Sequence, residues 1–408
     1  MTEPRPRVAA VTTVWRQNSH ADVMFPKLLA GYDLDGTAVR PGVEVVSLYV
    51  DQFPENDLSR RWAQRFGVPI FPSVAEALTV GGEALAVDAV LIVGEHGEYP
   101  WNEKGQHLYP RRELFEQSVA VIEGTGRHIP VFNDKHLSYS WENAVWMREA
   151  ARRLGLPFMA GSSLPVTFRQ PALSFPLGTA VEEALVLSHG PTESYGFHAL
   201  ETLQCMVERR AGGETGVAAV ELLHGDTFWS AWDGGRFPRD LYLAALGTTA
   251  HQESELRDFF ASRTGGRGGA PGPQPPVAFL VQYRDGLRAT LLNLGGYVSD
   301  FCFAARAGGE VVAAAFKLQG SPPRWHFNFL VHHIEQFFRS GRAPYPVERT
   351  LLTTGTLAAL MDSGGATLAR LETPHLDVTY QAPAEEARTA AGTSLPEKEV
   401  WGFKPEDV

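Results

Sequence analysis

The stretch Arg7-Val8-Ala9-Ala10-Val11-Thr12-Thr13-Val14-Trp15-Arg16-Gln17-Asn18-Ser19-His20-Ala21-Asp22 decides the fold. Its first residues form a short apolar run that suits a buried strand. After a polar loop, residues 21–32 carry Val23, Met24, Leu28 and Leu29 at the spacing of one helix face, so strand leads into helix. Working outward, the alternation repeats. Strands are predicted at 43–50 (followed by Asp51), 69–71, 89–93, 129–132 and 157–161. Helices are predicted at 58–66 (stopped by Gly67), at 74–78, up to about 122, and at 141–154, with a polar insertion over 94–110. Short strands separated by helices predict parallel βαβ units, because parallel neighbours need a crossover that covers a sheet face. Crossovers of constant hand wind such a sheet doubly and place ligands outside the carboxyl ends of its strands. Chemistry is therefore to be sought in the loops after Val11, Val50, Val93, Phe132 and Gly161.

Residues 1–165 thus read as a Rossmann-like nucleotide-binding domain, α/β with a doubly wound parallel sheet. The pattern changes near residue 175. Longer β-rich runs at 181–187, 217–223, 277–283, 288–294 and 311–317 predict a large, mostly antiparallel sheet, with Arg284-Asp285-Gly286 as a hairpin turn. Helices at 196–209, 239–246, 327–338 and 351–361 flank it, making 166–383 an α+β domain for substrate binding and oligomerisation. The Gly- and Pro-rich run 265–276 reads as a flexible surface loop. Residues 384–408 read as a loosely ordered tail that Trp401 and Phe403 could dock.

Composition excludes several classes. The 408 residues are 44% hydrophobic and 20% charged, which suits a globular chain with sizeable cores. A net charge of -11 without a dense basic run argues against a nucleic-acid partner. No apolar stretch approaches the roughly 18 residues of a membrane span, and the N-terminus lacks the apolar core of a secretion signal, so a cytoplasmic protein is expected. Cys205 and Cys302 have neither disulfide nor metal-ligand spacing.

Three blocks resemble the Gfo/Idh/MocA family, which includes glucose-fructose oxidoreductase and inositol dehydrogenase. Val131-Phe132-Asn133-Asp134-Lys135-His136 stands where that family ends a strand in Glu-Lys-Pro with its lysine facing substrate. Phe158-Met159-Ala160-Gly161-Ser162-Ser163-Leu164-Pro165-Val166-Thr167-Phe168-Arg169 is similar to the family's next strand and the arginine beyond it. Ser194-Tyr195-Gly196-Phe197-His198-Ala199-Leu200-Glu201 is similar to the family's Asp, His and acid at this point, with Ser194 in place of the Asp. Trp229 and residues 333–361 look like its closing elements. The resemblance implies an NAD-dependent oxidoreductase acting on a secondary alcohol of a sugar, polyol or related small molecule. It also implies a homo-oligomer, dimer or tetramer, formed through the outer face of the second sheet. Lys135 and His198 would manage the proton with Glu201 beside them, and Glu95 and His96 would lie near the nicotinamide. Tyr99, His136, Arg169, Ser194 and Tyr195 are the expected substrate contacts.

The residues themselves leave the cofactor open. Asp51 ends the second strand, where an acid accepts from a ribose 2′-hydroxyl and favours NAD. Yet no glycine occurs between Met1 and Ala30, whereas a pyrophosphate needs close backbone approach at this loop. Thr12, Thr13, Arg16, Ser19 and His20 are the groups left to hold the cofactor. The second reading is a hydrolase or lyase on a sugar-like substrate that has lost the NAD role and works with His and Glu. His20, Glu95, His96 and His198 are then candidate ligands for a divalent metal, although no HExxH-type spacing supports one. His332-His333-x-Glu335 reads as surface, since adjacent helical side chains diverge by about 100°. Trp229, Trp232 and Phe237 suit either a sugar face or core packing.

Overall fold

The structure is a computed structural model that describes residues 4–249, 256–261, 274–318, 324–365, 370–387 and 389. Its first sheet has six parallel strands in the order Ile70–Phe71, Glu44–Gln52, Arg7–Val14, Ala89–Val93, Val131–Asp134 and Phe158–Gly161. The chain order reverses beside Arg7–Val14, the switch point at which a doubly wound sheet opens a crevice. Val8, Ala9, Ala10 and Val11 and the whole of Ala89–Val93 are completely buried, because helices cover both faces. The first strand continues to Val14, beyond the expected end at Val11, and pairs Val14 with Gln52. An unexpected hairpin, Tyr32–Leu34 with Thr37–Val39, turns at Asp35 and Gly36, whose φ angles are 53° and 82°. Asp-Gly is the usual sequence sign of that turn, but three-residue strands are too short to show a period.

The helix His20–Ala30 starts at Ser19, which is extended and whose hydroxyl accepts from the Asp22 amide. Helix His326–Ser340, far away in sequence, packs against it and buries Leu330, Ile334 and Phe337 with Met24 and Phe25. The run at 332–335 is therefore not surface. Glu335 is buried and accepts from the Tyr32 hydroxyl at 3.1 Å.

The second sheet has eight strands in the order Leu371–Glu372, Val217–His224, Val277–Tyr283, Arg288–Asn293, Val181–Ser188, Phe301–Ala307, Glu310–Phe316 and Arg169–Gln170. It is antiparallel except between Val181–Ser188 and Arg288–Asn293. Phe301–Ala307 was not anticipated: its first five residues are all buried, which erases the period-2 signal, and only the turn Gly308-Gly309 marks it. The inner face packs on helices Thr192–Val207 and Val347–Gly364, in a core that continues into one face of the first sheet. On the outer face lie helices Asp226–Asp233, Arg239–Leu246 and Leu256–Ala261, with Phe228, Leu241 and Tyr242 over Leu187, Leu292 and Cys302.

The face that the resemblance gives to a second copy carries the chain's own helices. Trp229, Trp232 and Phe237 pack on that outer face, not on the side of the crevice. Of the loop 265–276 only 274–276 fall within the described residues, and Trp401 and Phe403 lie outside them. Among the described residues, no helix is long and apolar enough to cross a membrane.

Candidate functional site

The crevice at the switch point is built first from backbone held in uncommon conformations. The strand Ala89–Val93 runs into Gly94-Glu95-His96-Gly97, with φ of 70° at His96 and 107° at Gly97. The strand Val131–Asp134 runs into Lys135, whose φ is 63° and whose amide donates to the Gly161 carbonyl at 3.0 Å. Such angles cost a non-glycine residue roughly 1–3 kcal/mol and persist where surrounding contacts over-determine them, as they do at active sites.

Glu95 supplies those contacts. Its Oε1 accepts from Lys135 Nζ at 2.8 Å, and its Oε2 accepts from Arg111, which is completely buried at the start of helix Arg111–Glu123. Burial alone would push the Glu95 carboxyl up, but the Lys135 and Arg111 charges override it and hold the group well below the usual carboxylate range. The chain of contacts continues outward. Arg111 Nη1 donates to His136 Nε2 at 3.2 Å, and His136 Nε2 in turn lies 3.2 Å from Glu193 Oε1.

Two further imidazoles face this network. His20 Nδ1 is 2.6 Å from Oδ2 of the fully buried Asp134, a contact that keeps the proton on Nδ1 and leaves Nε2 to accept. Its ring lies 5.5 Å from that of His96 and edge-on to Phe327. His198, from helix Thr192–Val207, is buried, and its Nδ1 has no hydrogen-bond partner. Burial, reinforced by the Lys135 charge, holds His198 well below its ordinary pKa; burial also takes His96 down to about 3 and lowers His136. These are neutral imidazoles at neutral pH, whose charged form burial disfavours, so each offers one ring nitrogen as a hydrogen-bond acceptor and one as a donor.

The fold therefore brings Lys135, Glu95, His96, His20, His136 and His198 to one crevice, with the Tyr195 ring edge-on to His198 at 5.7 Å. It carries other expected residues elsewhere. Arg169 is a buried clamp that donates to the carbonyls of Leu173 and Pro165 and to Glu386, so it makes no substrate contact. Glu201 lies against the strand end, where its oxygens accept from the Ser162 amide and the Thr353 hydroxyl, each at 3.2 Å. Tyr99 is spent on Asp51, donating to Oδ2 at 2.6 Å while Tyr49 donates to Oδ1 at 2.8 Å. Arg111, Asp134 and Glu193 were missed as functional groups. Arg111 opens a helix in a polar stretch and reads as a solvated first turn, and His20 lies 114 residues from Asp134.

The first loop does not fit a dinucleotide pyrophosphate. At the helix N-terminus the Asn18 amide donates to Asp22 Oδ2 (2.9 Å), the Arg16 and Asp22 amides donate to Ser19 Oγ, and the Ser19 amide donates to the Arg16 carbonyl. Four of the amides at this helix start are thus used within the loop, and the half-buried Asp22 carboxyl stands among them, a charge that opposes a phosphate. Thr12 and Thr13 donate their hydroxyls to the carbonyls of Val93 and Glu95. Trp15 is completely buried, stacked on Trp62 and edge-on to Phe25, and its carbonyl accepts from the Leu58 amide. Of the expected cofactor contacts only Arg16 and Asp51 are exposed, and Asp51 accepts from the Tyr49 and Tyr99 hydroxyls. The metal alternative fares no better: among the described residues no group of three or more His, Cys, Asp or Glu could hold an ion. The Glu95 oxygens are taken by cations and His20 Nδ1 by Asp134.

No family model and no curated protein sequence matches the chain. Solved structures share its fold. GenD2 from gentamicin A biosynthesis, solved in complex with NAD, matches over 90% of this chain and 96% of its own at 14% identity, with a TM-score of 0.56. The apo scyllo-inositol dehydrogenase from Lactobacillus casei matches over 91% and 99% at 10% identity, TM-score 0.53. Myo-inositol dehydrogenase from the same organism, in complex with NAD(H) and myo-inositol, matches over 90% and 97% at 10% identity, TM-score 0.53. These structures are of the Gfo/Idh/MocA type, so the resemblance seen in the residues holds for the fold: a Rossmann-like sheet followed by a mostly antiparallel one.

Proposed function

We propose that this protein is an enzyme that moves a proton on a hydroxyl-bearing small molecule, of the sugar or polyol class, in a redox-neutral reaction of the lyase or hydrolase type. The observation that carries this reading is a buried imidazole with an unpartnered nitrogen, His198, within the field of the Lys135 ammonium, in a crevice whose first loop has no glycine and sets the Asp22 carboxyl among its amides. His198, neutral and desolvated, takes the proton from the carbon α to a substrate carbonyl or carboxyl only as negative charge develops on the oxygen beside it, because burial and the Lys135 charge otherwise disfavour its charged form. Lys135 stabilises that oxygen in a water-poor site where a fixed cation acts strongly, and the β C–O bond then breaks, its hydroxyl leaving as water with the proton that His198 gives back. Glu95 and Arg111 hold the Lys135 chain in place, and the His20–Asp134 pair offers Nε2 as a second acceptor. The sugar or polyol class rests on the shared fold, since relatives at this similarity include inositol dehydrogenases.

A second reading keeps NAD-dependent oxidation of a secondary alcohol, with the same lysine and histidine managing the proton. The architecture shared with NAD-bound GenD2 favours it. It requires the dinucleotide to be held by groups other than the first-loop amides. Turnover of a panel of sugars, polyols and their acids, followed by NMR with and without NAD, separates the two. Turnover without NAD, lost by roughly 10²–10⁴-fold in Lys135→Met and in His198→Asn with unchanged circular dichroism, is the expected result. Near-normal turnover in both variants sinks the assigned roles, and a strict NAD requirement replaces the first reading with the second.

A further inference from the structure

A cavity of about 490 Å³ lies at the far end of the Glu95–Arg111–His136 chain of contacts, lined among others by Trp101, Lys104, Glu193, Ser194 and His224. Its size is that of a small-molecule site. Two features of its wall are hard to explain without a ligand. Trp101 is 62% exposed, the most exposed large apolar side chain among the described residues. It is nevertheless not on a loose loop. Trp101 pairs with His107 in an isolated bridge, Asn102 and Gln106 bond across the turn, and Gln106 Nε2 donates to the Tyr139 carbonyl at 2.8 Å. His107 stacks on one indole face at 4.2 Å, which leaves the other face rigidly presented.

The second feature is Glu193, a carboxylate only 4% exposed. Its Oε1 lies 3.2 Å from His136 Nε2, and in the tautomer with the proton on Nδ1 that nitrogen accepts from Arg111 and has no proton to give. Oε1 accordingly has no hydrogen-bond donor. A buried acceptor without a donor is costly, and a hydroxyl from a bound molecule would satisfy it. The carboxylate disfavours an anion, and the Lys104 ammonium opposite is paired with Asp362.

Resting on the reading of the substrate as a sugar or polyol, we infer that this cavity is a second subsite, which takes a neutral hydroxylated ring stacked on Trp101 and donating a hydroxyl to Glu193. The substrate is then a two-ring molecule, a glycoside or disaccharide, with one ring at Lys135 and the other here. The first turn of helix Thr192–Val207, with Ser194 beside Glu193, lines the same space.

The test is isothermal titration of the full chain with glucose and myo-inositol as single rings, and with cellobiose, gentiobiose, maltose and trehalose as double rings. At least one disaccharide is expected to bind about tenfold or more tightly than the single rings, a gap of about 1.4 kcal/mol. In Trp101→Ala and in Glu193→Gln that ratio is expected to fall towards one, with thermal melts confirming that each variant is folded. Single rings that bind with no disaccharide advantage, or an advantage unchanged in both folded variants, overturn the subsite and leave the substrate class standing. Binding of none of these molecules overturns the substrate class and the subsite with it.

Discussion

Replacing Glu95 by Gln probes the centre of the crevice most sharply. The carboxylate is 4% exposed and faces two cations, Lys135 at 2.8 Å and the fully buried Arg111. Gln keeps the shape and removes the charge, so two buried cations lose their counter-charge. Breaking a buried ion pair in this way costs roughly 3–5 kcal/mol. For a chain of this size that is a melting-temperature drop on the order of 10 °C. The sign of the pH dependence follows from the depressed pKa. The stabilisation is fully present above the ordinary carboxyl value of 4.5 and is lost only as pH falls through the much lower folded value. The deficit of the variant is therefore expected to be constant through neutral pH and to shrink in acid. Adding Lys135→Met removes one stranded cation, and the double variant is expected to recover part of the loss. Urea denaturation of the wild type, both single variants and the double variant gives the cycle. A Glu95→Gln deficit under about 1 kcal/mol, or a double variant less stable than the sum of the singles, would refute the buried three-charge arrangement.

Two other outcomes bear on stability. Burial raises the Glu201 carboxyl to about 7 from 4.5, so its folded form holds a proton that the unfolded chain has released. That contribution is present below 4.5 and lost as pH rises to about 7, a change of about 3 kcal/mol. In Glu201→Gln the urea-unfolding free energy should decline less steeply over that window, and an unaltered slope rules the protonated Glu201 out. Trp15→Ala should lower stability by roughly 3–5 kcal/mol, since the indole is completely buried against Phe25 and Trp62. A loss below about 1 kcal/mol in denaturant titration would mean that Trp15 does not anchor the first loop on Phe25 and Trp62.

Much of the first sheet was legible because its strands are short apolar runs separated by amphipathic helices, with glycines such as Gly67 ending them. Where period or length fails, reading fails. Phe301–Ala307 is buried on both faces over most of its length, and the hairpin at residues 32–39 is too brief to register. Within the crevice, Lys135, His198, His20 and His96 were visible because strand ends and the family blocks point to them. Their partners were not, because Arg111 to Glu95 and His20 to Asp134 are contacts made by the tertiary fold across 16 and 114 residues. Arg169 shows the opposite error. A motif carried over by position put it at the substrate, while local carbonyls and Glu386 hold it in the core. The glycine-free first loop was the most informative absence, and the structure adds that Asp22 and Ser19 take the Arg16, Asn18 and Asp22 amides there.

That loop also offers the most direct test. Purified full-length protein titrated with NADH and NADPH, followed by nucleotide fluorescence and calorimetry, is expected to show no saturable binding at millimolar nucleotide. Stoichiometric binding of either nucleotide with a micromolar dissociation constant would contradict the redox-neutral assignment.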